Sequence, residues 1–143
     1  MGTSTTIMQQ ILRDEGFNPS AYPDSLGFWT VGSGICIDAR KGCGITPAEN
    51  LILVGNRIAI AQAQVAEQFP WTSALDPIRL AVLWNMTYEM GIDGLAEFRL
   101  FLAAVQAGNW QQASDQLISS ELDREVPARA HREALQILTG EWQ

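Results

Sequence analysis

The sequence predicts an α+β fold, with a small strand-and-turn lobe and a larger helical lobe joined by one long helix. Three observations predict it. Residues 17–45 hold five glycines (Gly27, Gly32, Gly34, Gly42, Gly44), the prolines Pro19 and Pro23, and the run Phe28-Trp29-Thr30-Val31, which together read as strands and turns. Thr46-Pro47-Ala48-Glu49 is a capping box with proline at the first helical position, and the helix it opens runs over 47–68, ending before Pro70. The rest of the chain, 70–143, carries helical apolar spacing broken by single glycines and prolines.

Taken in order, residues 5–15 form a short helix with Ile7, Met8, Ile11 and Leu12 on one face and Gly16 as its stop. The helix over 47–68 spans about 30 Å at ~1.5 Å per residue, long enough to connect lobes. Asp76-Pro77 opens a further helix that stops at Gly91. Leu95–Ala107 follows, closed by Gly108, and Asn109 caps a helix from Trp110 to Ile118. Pro127 starts the last, which ends near Gly140. The whole chain, 1–143, reads as one domain: a β-lobe over 17–45, a connecting helix over 47–68, and a helical lobe from 1–16 and 70–143.

Composition excludes several classes of function. With 47% hydrophobic and 17% charged residues the chain is globular rather than disordered. No apolar run reaches the ~18 residues of a membrane span, no secretory signal is visible, and Gly2 is not read as an acylation site. A net charge of −7, with the acidity in the C-terminal part, argues against a nucleic-acid partner. The single histidine, His131, and two cysteines form no zinc pattern, so neither metal nor cofactor is expected. Cys36 and Cys43 are expected as free thiols, with a loop-closing disulfide as the alternative. Most of the five tryptophans are expected in the core.

Glycoside hydrolysis needs two carboxyl groups flanking the scissile bond. Glu15 ends the first helix, where the negative end of the helix dipole favours a protonated carboxyl, as a general acid requires. Asp24 lies nine residues later, so the chain must turn back for the two to share a site. Ser25-Leu26-Gly27 can form a three-residue hairpin loop. In that register Tyr22 pairs with Thr30 and Asp24 with Phe28, and all four side chains fall on one face. Thr30 then sits diagonally across from Asp24, where a hydroxyl beside a carboxylate can hold a water. Taken singly, each of these residues has an ordinary structural role; the combination is what carries meaning.

Leu12-Arg13-Asp14-Glu15-Gly16, Tyr22-Pro23-Asp24 and Gly27-Phe28-Trp29-Thr30-Val31-Gly32-Ser33-Gly34 together resemble the phage T4-type lysozymes, the endolysins of glycoside hydrolase family 24. The resemblance extends through Ile45-Thr46 and Glu49, Asn85-Met86, Met90-Gly91, Phe98 and Gly108-Asn109-Trp110, to Pro127-Ala128-Arg129-Ala130 with Arg132 and Thr139-Gly140-Glu141-Trp142. It implies a lysozyme-like fold with a cleft between lobes. It implies hydrolysis of the β-1,4 bond between N-acetylmuramic acid and N-acetylglucosamine in bacterial peptidoglycan, with inversion. Glu15 is then the proton donor, Asp24 the second carboxylate, Thr30 the residue that positions water, and Arg129 a supporting partner of Glu15. Tyr22, Phe28, Gly34, Tyr88 and Glu89 are candidate substrate-binding residues. A protein of this kind is expected to act as a monomer without stable membrane insertion. It would wait in the host cytoplasm and reach the periplasm and wall after a holin opens the membrane, causing lysis; a virion-associated role is also open.

Three positions depart from the family. Ile35 stands where many members have histidine, Glu89 replaces a neutral amide, and Leu122 replaces a tryptophan. The segment between Gly34 and Thr46 is also short. Two rival readings remain: a lytic transglycosylase on the same bond, and a non-catalytic wall-binding virion module. A carboxyl separation of roughly 6.5–9.5 Å would support inversion and about 5–5.5 Å retention.

Overall fold

The structure is a computed structural model and describes residues 6–143, apart from the side chain of Glu121. Gly2, and Thr5 at the start of the expected first helix, lie outside the described residues. The chain forms two compact units, Met1–Ile52 and Leu53–Gln143.

In the first unit, helix α1 spans Ile7–Glu15. It opens on a reciprocal cap: the Thr6 hydroxyl accepts the Gln9 N–H at 3.2 Å, and Gln9 Oε1 accepts the Thr6 N–H at 2.8 Å. It closes at Gly16, whose φ of +67° favours glycine and whose N–H donates to the Leu12 carbonyl. Strands β1 (Asn18–Pro23), β2 (Trp29–Gly32) and β3 (Ile35–Cys36) make an antiparallel sheet in the order β1-β2-β3. Pro19 and Pro23 are tolerated because β1 is an edge strand. Tyr22 pairs with Thr30 and Pro23 with Trp29, as the three-residue loop requires. Asp24 N donates to Phe28 O at 2.8 Å and Gly27, at φ +83°, completes the turn.

The cysteines correct the expectation of free thiols. Cys36 and Cys43 form a disulfide with Cα atoms 5.6 Å apart. β3 ends at Cys36, and a single 3-10 turn over Ala39–Lys41 brings the chain back to Cys43.

Helix α2, Pro47–Gln68, begins with the expected box: Glu49 Oε2 accepts the Thr46 N–H at 2.6 Å and the Thr46 hydroxyl accepts the Glu49 N–H at 3.2 Å. In the second unit, α3 spans Pro77–Ala96 with non-helical backbone at Gly91 (φ 78°, ψ 165°), so the expected stop is a sharp break inside one element. α4 covers Arg99–Ala107, starting four residues later than Leu95 because Phe98 leaves helical geometry (φ −79°, ψ 57°). α5 is Trp110–Ile118, capped by the Asn109 side chain on Gln112 N–H. α6, Glu121–Glu125, was not anticipated; α7 is Pro127–Thr139.

These helices enclose one apolar core, whose largest fully buried side chains include Phe101, Leu83, Met86, Leu95, Leu117 and Ile137. Leu122 is buried in it. Trp71, Trp84 and Trp110 pack against it partly buried, whereas Trp29 and Trp142 are exposed. Among the described residues no helix is long and apolar enough to cross a membrane.

Arg79 joins three helices of this unit. Its Nε and Nη2 donate to the Ile137 and Leu138 carbonyls at the end of α7, at 2.7 and 3.1 Å. Nη1 pairs with Asp76, and the guanidinium lies 4.3 Å from the Trp110 ring centroid. Arg79→Ala leaves those carbonyls uncapped and is expected to cost about 3 kcal/mol, given ~1.5–3 kcal/mol for hydrogen bonds to a charged group. Urea unfolding at neutral pH checks it; a loss below about 1 kcal/mol contradicts the account.

Candidate active site

Glu15, Tyr22, Asp24, Phe28, Thr30 and Gly34 all lie in the first unit. The hairpin alternates as its sequence requires: Tyr22, Asp24, Phe28 and Thr30 are the less exposed residues, while Ala21, Pro23 and Trp29 are exposed. Thr30 is 5% exposed, whereas Tyr22, Asp24 and Phe28 are partly exposed.

Phe28 is the hub of the hairpin. Its N–H donates to Asp24 Oδ1 at 2.9 Å, and Leu26 N–H donates to the same oxygen at 2.9 Å. Its carbonyl accepts the Asp24 N–H and, at 3.2 Å, the Thr30 hydroxyl. The Phe28 amide bond is the chief cause holding the Asp24 carboxyl below its ordinary value, and the Leu26 amide and Lys41 act in the same direction. Asp24 is therefore an anion at neutral pH. Among the described residues its Oδ2 accepts no bond, and the Thr30 oxygen, its proton committed to Phe28, is free to accept one.

Glu15, at the end of α1, reaches Gly34. A methyl group added to Gly34 would fall 2.6 Å from Glu15 Oε2 and 2.7 Å from its Cδ. Gly34 also has φ +73°. The second glycine of Gly32-Ser33-Gly34 thus serves two ends: it permits the turn and leaves room for the carboxyl.

The 36–43 loop supplies residues that sequence reading missed. Asp38 is 4% exposed and accepts from Trp29 N–H at 2.9 Å and from Arg40 through backbone and side chain. The Arg40 guanidinium, then the Trp29 amide, hold its carboxyl well below the usual carboxylate range. The signal was available: an Asp two residues before an Arg, inside a short loop closed by two cysteines, suits an Asx-type turn. Ile35 is half exposed and pairs with Val31.

Tyr88, Glu89 and Arg129 belong to the second unit. Arg129 Nη1 lies 2.9 Å from Glu89 Oε2. Tyr88 and Glu89 line an open groove of about 500 Å³ with Trp84, Asn85 and Trp142. Glu133 of α7, which the basic run around it suggests as a solvated ion-pair partner, is instead buried beside this pair, and its two carboxyl oxygens have no hydrogen-bond partner among the described residues. Its position was legible too, since Ala130, Ala134 and Ile137 share its buried helical face. His131 is exposed and pairs with Asp123 at 2.9 Å. Among the described residues no cluster of three His, Cys, Asp or Glu side chains could hold a metal ion.

A family model described as phage lysozyme matches residues 13–128, from α1 to the start of α7. The chain belongs to the phage lysozyme family. The small antiparallel sheet and helical remainder are the lysozyme-like α+β fold. Across 95% of both chains it is 23% identical to the probable T4-type lysozyme 1 of Dictyostelium discoideum. It is also 25% identical to the pre-baseplate central spike protein Gp5 of Enterobacteria phage T4, over 94% of this chain but only 28% of that protein. The lysozyme match includes all of the Glu15, Asp24, Thr30 and Gly34 positions.

Proposed function

We propose that this lysozyme-family chain is a muramidase that hydrolyses the β-1,4 bond between N-acetylmuramic acid and N-acetylglucosamine with inversion. The observation that carries the reading is the Asp24–Phe28–Thr30 arrangement, an ionised carboxylate and a hydroxyl acceptor tied to one residue. A water there donates one proton to Asp24 and the other, as a hydrogen bond, to Thr30 Oγ1. Its lone pair attacks the anomeric carbon as Glu15 delivers a proton to the leaving glycosidic oxygen. The bond breaks with Glu15 left ionised and Asp24 protonated, and proton exchange with solvent restores both.

Tyr22 and Phe28 of the first unit, and Tyr88 and Glu89 of the second, are proposed to contact the glycan. Lysis of a bacterial host, with release through a holin-opened membrane, belongs to the same proposal. The Cys36–Cys43 disulfide suits an oxidising compartment at the working stage.

Digestion of purified peptidoglycan followed by mass spectrometry and proton NMR tests the reaction. The expected products are reducing ends appearing first with inverted configuration, lost by about 100-fold or more in Asp24→Asn. Anhydro-muramyl ends would mean a lytic transglycosylase. No cleavage by wild type, with clearing of permeabilised cells also absent, would mean a non-catalytic wall module.

A further inference from the structure

The proposed reaction needs Asp24 and Thr30 held in register, and both depend on the backbone of Phe28. Three consecutive residues of this strand start are gripped from the 38–41 segment. Gly27 O accepts from Arg40 Nη2 at 2.9 Å. Two cations lie over the Phe28 ring, the Arg40 guanidinium carbon 5.4 Å and Lys41 Nζ 5.2 Å from its centroid. Trp29 N–H donates to Asp38 Oδ2 at 2.9 Å. Asp38 and Arg40 are bound to each other at 2.6 Å, so the three grips act as one. The disulfide brackets the segment, and Cys36 is the cross-strand partner of Thr30 itself.

We propose that Asp38 and Arg40 are positioning residues, a brace that fixes Gly27–Trp29 and thereby sets Asp24 and Thr30 for catalysis. Catalytic consequences rest on the muramidase reading; the effect on Asp24 does not. If the Arg40 fork is removed, Gly27 and the Phe28 ring lose a tether. The Phe28 amide then bonds Asp24 less steadily, and the carboxylate loses its main stabilising partner. Arg40→Lys keeps the charge but cannot reach Asp38 and Gly27 with one planar fork. A role in charge alone and a role in geometry therefore give different results.

Arg40→Gln is the variant of choice, because the Arg40 side chain is 65% exposed; Asp38→Asn is the second. The Asp24 carboxyl is followed by carbon-13 NMR in wild type and variants, and kcat and KM are measured on soluble peptidoglycan fragments. In Arg40→Gln the Asp24 titration is expected to move to higher pH and kcat to fall about tenfold, with KM within twofold. The acid limb of the kcat profile should move with it, and Arg40→Lys should recover only part of the rate. An unchanged Asp24 titration in both folded variants overturns the brace, whatever the substrate. A moved titration with kcat unchanged overturns its catalytic role. A titration that moves in the variants while wild type cleaves no glycan removes the muramidase reading and leaves the brace as the determinant of Asp24 ionisation.

Discussion

Glu15→Gln is expected to abolish turnover, by roughly 10²–10⁴-fold at the least, and to leave thermal unfolding where it is in wild type. In the proposed reaction Glu15 is the proton donor to the leaving oxygen, and an amide of the same size cannot supply that proton. The fold asks little of this side chain. It is exposed at the end of α1, and the stop itself is made by the Gly16 amide and the Leu12 carbonyl. Gly34→Ala gives an independent view of the same group. The added methyl would stand 2.6 Å from Oε2, so the carboxyl must move away. The left-handed backbone at φ +73° adds roughly 1–2 kcal/mol of strain. The expected result is a large fall in kcat with a small fall in stability, the reverse of the pattern for Arg79→Ala. Steady-state kinetics and calorimetry on both variants check this. Glu15→Gln turning over within tenfold of wild type would remove Glu15 from the proton-donor role.

The hairpin was legible because local chemistry decides it. Asp24 and Gly27 bracket a loop whose length fixes register, and register fixes which side chains share a face. The α2 start was legible for the same reason, since Thr46, Pro47 and Glu49 act on their own backbone. The 36–43 loop was not. Whether Cys36 and Cys43 join depends on how close β3 and the following turn bring their Cα atoms, and neither hydrophobic period nor composition carries that distance. Asp38 was hidden with it, because its burial comes from a strand nine residues away in sequence. The late start of α4 has another cause: Leu95 satisfies the apolar period yet packs as the end of α3, and Phe98 breaks the helix between them. Tertiary contact outweighed local propensity there.

Glu133 is expected to make stability fall as pH rises through the mildly acidic range. It sits on the buried face of α7 between Ala130 and Ala134, where a helix of this kind normally carries an apolar residue. Burial raises its carboxyl to about 7 from 4.5, with Glu89 on α3 acting in the same direction and Arg129 and Arg132 on α7 opposing it. The folded state therefore keeps a proton that the unfolded chain releases near 4.5. Below that pH the carboxyl is neutral in both states and carries no penalty. Between 4.5 and about 7 the folded state binds more protons than the unfolded one, and stability falls by about 1.4 kcal/mol for each pH unit. The accumulated loss is about 3 kcal/mol and is complete above the folded value. Glu133→Gln removes the titration, so its unfolding free energy should lack this descent while matching wild type near pH 4 to within about 1 kcal/mol. Glu133→Leu, which also removes the unpartnered oxygens, should exceed wild type at pH 8 by about 1–3 kcal/mol. Urea titrations at pH 4, 6 and 8 on the three proteins give the comparison. A wild-type descent that persists unchanged in Glu133→Gln would assign it to another group and leave Glu133 ionised in the fold, held by Arg129 in competition with Glu89.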